Sequence, residues 1–142
     1  MLLPFFSFCQ KYINQSRNLV IQDIKKYKHG AAKPVISETD STITILVKTS
    51  SLPADFIYGF DKAGKCISEK VIARCDSCIN KKLQSALKIG KYGWKKINEN
   101  QYVSKFEEKM MIELPVESNE YYYTILRMDW TKTLYNILIS GK

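Results

Sequence analysis

Residues 56–89 constrain this chain more than any other stretch. They run FIYGF, DKAG, KCISEKVIARC and DSCINKKLQSALKI. Phe56, Tyr58 and Phe60 fall at alternate positions, the period of a strand with one buried face. Asp61 can accept hydrogen bonds from the turn that follows, and Gly64 supplies the positive φ that closes a short hairpin. The same stretch then changes period. From 77 to 89 the apolar residues Ile79, Leu83, Ala86 and Leu87 recur at helical spacing, Lys81 and Lys88 lie opposite them, and Gly90 is the expected cap. A hairpin followed at once by an amphipathic helix predicts a sheet of hairpins with helices laid on it.

The rest of the chain extends this pattern. Residues 11–28 read as a helix with Ile13, Val20, Ile24 and Tyr27 on one stripe and lysines in the last turns. Residues 30–41 read as linker, because Gly30 and Pro34 break a helix. Ile43, Ile45 and Val47 alternate in a strand, and residues 91–106 form strand, turn and strand around 98–100. Met110, Ile112, Leu114 and Val116 alternate in a further strand, and 121–130 is the longest strand candidate. Asp129 or Thr131 caps a closing helix with the stripe Leu134, Ile137 and Leu138. Tyr58-Gly59-Phe60 and Tyr92-Gly93-Trp94 echo one another, but two short copies do not define a repeat. The expected class is α+β: a single domain, 11–142, with an antiparallel sheet of about five to seven strands and helices packed on one face.

Residues 1–10, MLLPFFSFCQ, are apolar and uncharged. They resemble the end of a secretory signal, which places the protein in the periplasm or outside the cell; the alternative is the start of the first helix of a cytoplasmic protein. Cys9 falls in this stretch. The remaining cysteines, Cys66, Cys75 and Cys78, suit a structural disulfide in an oxidising compartment, either Cys75–Cys78 or one of them with Cys66. Cys75 precedes a helix and Cys78 lies in its first turn, so a thiol–disulfide role for the pair is a competing reading. Zinc would need a fourth ligand, and His29 is the chain's single histidine, so neither metal nor cofactor is implied.

No nucleophile-elbow, phosphate-loop, zinc-protease or dinucleotide motif is present. Glu107, Glu108 and Asp129 are the carboxylates a hydrolytic site would have to use, and nothing in their spacing pairs them. Charge says more. The chain carries 22 basic and 14 acidic residues, or +8. Lys81, Lys82, Lys88, Lys91, Lys95 and Lys96 fall between 75 and 98 with Tyr92 and Trp94 among them, a pattern suited to an anionic partner. Five glutamates and one lysine occupy 107–120; on separate surfaces, the two stretches would permit head-to-tail self-association. The reading is a small exported, non-catalytic binding domain for an unknown protein or anionic polymer. It would use a wet sheet face (Tyr58, Tyr92, Trp94, Tyr102, Tyr122) and the lysine-rich helix. An intracellular nucleic-acid-binding module and a thiol-redox protein using Cys75 and Cys78 are the alternatives. No stretch is apolar for the roughly 18 residues of a membrane span.

Overall fold

Eight antiparallel strands form one sheet built from two four-stranded meanders. The computed structural model describes residues 11–26, 35–47 and 54–141. In chain order these hold α1 (Arg17–Lys26), β1 (Val35–Glu38), β2 (Thr42–Val47), β3 (Ala54–Phe60) and β4 (Cys66–Ala73). There follow α2 (Asp76–Leu87), β5 (Lys95–Asn98), β6 (Gln101–Val103), β7 (Met110–Glu113), β8 (Tyr121–Arg127) and α3 (Lys132–Ser140). The strand order is β1-β2-β3-β4-β8-β7-β6-β5, so the last strands of the two meanders meet at the centre. Each meander is preceded by a helix. This recurrence of one helix and four strands is a topological repeat that the short aromatic-glycine echo did not reveal.

Parity decides where the core lies. Phe56 is opposite Val71 and Tyr58 opposite Glu69, while Val71 and Glu69 face Tyr123 and Ile125 on β8, and Ile125 faces Ile112 on β7. These side chains share one face and are buried with Val20 and Ile24 of α1 and Ile79 and Leu83 of α2. The expected α+β class, the antiparallel hairpins and the helix-covered face are all present. α3 serves a second, smaller cluster of Val103, Met111, Trp130 and Tyr135. Val103 and Met111 have the opposite parity to Ile112, so this cluster closes the other side of the sheet at the β5–β7 end.

Several boundaries differ from the sequence reading for local reasons. The first helix begins at Arg17 rather than Lys11, because the chain before it pairs with the β3–β4 hairpin. Ser16 bridges Lys65, and the Asn14 N–H donates to the Cys66 carbonyl at 2.8 Å. The predicted linker contains β1, an edge strand. Gly90 does not cap α2, which ends at Leu87 with Lys88 as its C-cap. The strand expected to reach Val116 stops at Glu113: the Leu114 N–H donates to the Asn100 carbonyl, and Pro115 has no N–H to continue the ladder. Thr131 caps α3 through Leu134 N–H at 3.2 Å. Its buried residue is Tyr135, whereas Leu134 and Ile137, expected inside, are exposed. Tyr27 lies outside the described residues.

The β3–β4 turn is as expected. Asp61 accepts from the N–H groups of Ala63 and Lys65, both at 2.9 Å, and Gly64 has φ +77°. Those N–H donors, led by Lys65, hold the Asp61 carboxyl below the ordinary carboxylate range, and Arg127 adds to the effect.

Candidate functional site

α2 runs along one side of the sheet and delivers the chain to the outer edge. A single 3-10 turn at Gly90–Tyr92 ends in Gly93 at φ +60°, a conformation that favours glycine. The Lys105 side chain packs against Gly93, and the Lys105 N–H donates to the Tyr92 carbonyl at 2.8 Å. A second 3-10 turn, Phe106–Glu108, follows. Its Phe106 ring stands 5.6 Å from that of Tyr135, and the Phe106 carbonyl accepts from Trp130 Nε1 at 3.1 Å. Lys132 Nζ lies 4.5 Å, and Lys109 Nζ 5.7 Å, from the centre of the Phe106 ring.

This folding assembles a lysine end that the sequence order hides. Lys88, Lys91 and Lys95 come from the α2–β5 connection, Lys105 and Lys109 flank the Phe106 turn, and Lys132 opens α3. All six are exposed. Among the described residues none of the six is in an ion pair, whereas Lys11, Lys70 and Lys96 are. The six lysines outnumber Glu107 and Glu108 beside them, and an excess of like charge repels, so an arriving anion relieves it. Lysine heads around an aromatic ring can neutralise spread negative charge, and a ring can stack on a planar group. Sequence reasoning missed Lys105, Lys109, Lys132 and Phe106 because they lie far from the α2 lysines along the chain.

Of the expected site residues, Lys81, Lys88, Lys91, Lys95 and Lys96 are exposed, although Lys96 is held by Glu99 at 3.3 Å. Lys82 is not available on the surface: it is buried with Nζ over the Phe56 ring. Tyr58 and Tyr92 are core residues rather than members of a wet face. Burial, with smaller contributions from Glu108 and Glu69, raises the Tyr92 hydroxyl above its ordinary pKa. Trp94 and Tyr102 are half-buried against the main core. Tyr122 is half-exposed on the opposite sheet face, where Lys70 Nζ sits 4.2 Å above its ring. The acidic stretch is divided: Glu107 and Glu108 sit among the lysines, while Glu113, Glu117 and Glu120 lie at the far end of the strands. Asp129 is exposed beside Arg127, and His29 and Cys9 lie outside the described residues.

Cys75 and Cys78 form a disulfide with a Cα–Cα distance of 5.0 Å. Cys75 is the N-cap of α2, its sulfur accepting from the Cys78 N–H at 3.1 Å. Cys66 is not part of it. Its thiol is buried, and burial, reinforced by Glu69, pushes its pKa up to about 12. At pH 8 to 9 the Cys66 thiolate is therefore scarce as well as shielded. Alkylation of native protein at pH 8.5, followed by peptide mapping, is expected to leave Cys66 unmodified until denaturant is added; rapid native labelling would contradict its placement.

Among the described residues, no three His, Cys, Asp or Glu side chains are grouped to hold a metal, and no helix is long and apolar enough to cross a membrane. No family model matches the chain, and neither a curated protein nor a solved structure was found to match it.

Proposed function

We propose that this is a small exported, non-catalytic binding domain that recognises an anionic partner through its lysine end. The observation that carries this reading is the convergence of Lys109 and Lys132 on the Phe106 ring, next to Lys105 and beside Lys88, Lys91 and Lys95, with none of the six in an ion pair among the described residues. Lysines act as point charges, so they suit repeating anions more than a single bidentate carboxylate or phosphate, for which arginine is better shaped. Export is supported by the disulfide and by the apolar, uncharged residues 1–10.

Binding to a sulfated oligosaccharide and to a single-stranded oligonucleotide of equal charge, measured across salt, tests the site. Affinity for the favoured polymer is expected to fall steeply with salt. The K105Q/K109Q/K132Q variant should lower the log–log slope by about 2, since each phosphate-type contact contributes roughly 0.7–0.9. An unchanged slope would remove the site. Clear preference for the oligonucleotide would favour the intracellular nucleic-acid module instead.

A further inference from the structure

We propose that a second copy of this chain is an occupant of the lysine end, so that molecules associate head to tail; this rests on the lysine end being a binding surface. The register sorts the charges of the second meander along its strands. Lys95 pairs with Val103 and Met110 with Arg127, which puts the start of β5, the end of β6, the start of β7 and the end of β8 together. That is the lysine end, where Lys88, Lys91, Lys95, Lys105, Lys109 and Lys132 outnumber Glu107, Glu108 and Asp129. The opposite end holds the Asn98–Gln101 turn with Glu99, then Glu113 and the loop to β8 with Glu117 and Glu120. Asp76, at the start of α2, lies there too. Among the described residues there, Lys96 is engaged by Glu99 and Lys70 by Glu120, both at 3.3 Å, and Arg74 by Asp55.

The acidic end is also hollowed. One depression of about 270 Å³ lies between α2 and the 114–120 loop, lined by Asp76, Ile79, Leu83, Glu120 and Tyr121 among others. A second, of about 460 Å³, includes Glu99, Gln101 and Glu113, and the two share Leu114 and Val116. Val116 is 81% and Tyr121 44% exposed. At the lysine end, Leu134 in the first turn of α3 is 46% exposed beside Lys132. Each end thus joins uncovered apolar side chains to an excess of one sign of charge, the make-up of an interface core and rim. The helix dipole accounts for Asp76 and Lys88, which stand at the ends of α2. It does not account for Glu113, Glu117, Lys105, Lys109 or Lys132, which lie elsewhere. In a chain of +8, a local acidic groove finds its opposite charge on another copy's lysine end, and α2 holds the two ends about 18 Å apart. Contact between unlike ends is heterologous and grows linearly unless a rotation closes it.

Sedimentation velocity over a range of protein concentrations tests this, at about 10 mM and about 1 M salt, where the screening length falls from ~30 to ~3 Å. The wild type is expected to form species larger than dimers at low salt and to be monomeric at high salt. E113Q/E120Q and K105Q/K109Q/K132Q should each be monomeric alone, and their equal mixture should stop at dimers, since only one pair of competent ends remains. A wild type monomeric at low salt, assembly indifferent to salt, or a mixture that stays monomeric would overturn the proposal. E113Q/E120Q should keep the wild-type salt slope for the polyanion. Polyanion binding without self-association would therefore sink this inference while leaving the lysine end intact.

Discussion

Trp130→Ala is expected to destabilise the protein by about 3–5 kcal/mol, in the range for removing a large buried aromatic. Trp130 is 2% exposed, and its ring lies 4.9 Å from that of Tyr135. Its Nε1 donates to Phe106, and Tyr135 donates through its hydroxyl to the Ser104 carbonyl at 2.8 Å. Truncation opens a cavity in a cluster whose buried members number only four and leaves the Phe106 carbonyl without its indole donor. α3 has nine residues, fewer than the roughly 12–15 an isolated helix needs in water, so its order depends on this docking. Urea unfolding measures the loss. A parallel polyanion titration should show a smaller salt slope, because Lys132 leaves the Phe106 ring with α3. Leu134→Ala is the contrast: its exposed side chain should cost about 0.5 kcal/mol or less. A Trp130→Ala loss below about 1 kcal/mol would mean that α3 is not held as described.

What the sequence made legible was whatever a fixed period encodes. Phe56, Tyr58 and Phe60, or Ile79, Leu83 and Ala86, announce a buried face because each stripe has a polar alternative beside it. In α3 the apolar arc is broader: Leu134, Tyr135, Ile137, Leu138 and Ile139 cover more than half of the helix, so the stripe does not single out Tyr135, the buried anchor, which itself reads as amphipathic. Tyr92 was misplaced for the same reason, since a tyrosine suits a wet surface and a core equally well until its neighbours are known. The lysine end was half legible. Lys88, Lys91 and Lys95 are neighbours in the chain, but Lys105, Lys109 and Lys132 join them only through strand register and the docking of α3. Residues 11–16 were misread as helix because Ile13 fits a helical stripe, while the pairing that overrides it involves Lys65 and Cys66, about fifty residues away.

Ile125→Ala is expected to cost about 2–5 kcal/mol and to lower Tm by roughly 10 °C or more. Ile125 is 0% exposed and stands opposite Glu69 on β4 and Ile112 on β7. It therefore lies on the seam where the two meanders meet, under the helices. Leu126, one residue on, points to the other face opposite Ser68 and Met111 and is only half-buried. Leu126→Ala should lose less, because part of its apolar area stays in water in the folded protein. The pair separates face assignment from strand propensity, since both substitutions replace a larger apolar residue with alanine in the same strand. Far-UV circular dichroism and tryptophan fluorescence should melt together in the wild type, because Trp94 packs on the main core and Trp130 on the smaller one, and the shared sheet couples them. Equal losses at 125 and 126 would mean that β8 is covered alike on both faces, and the parity that places α1 and α2 on one side of it would have to be abandoned.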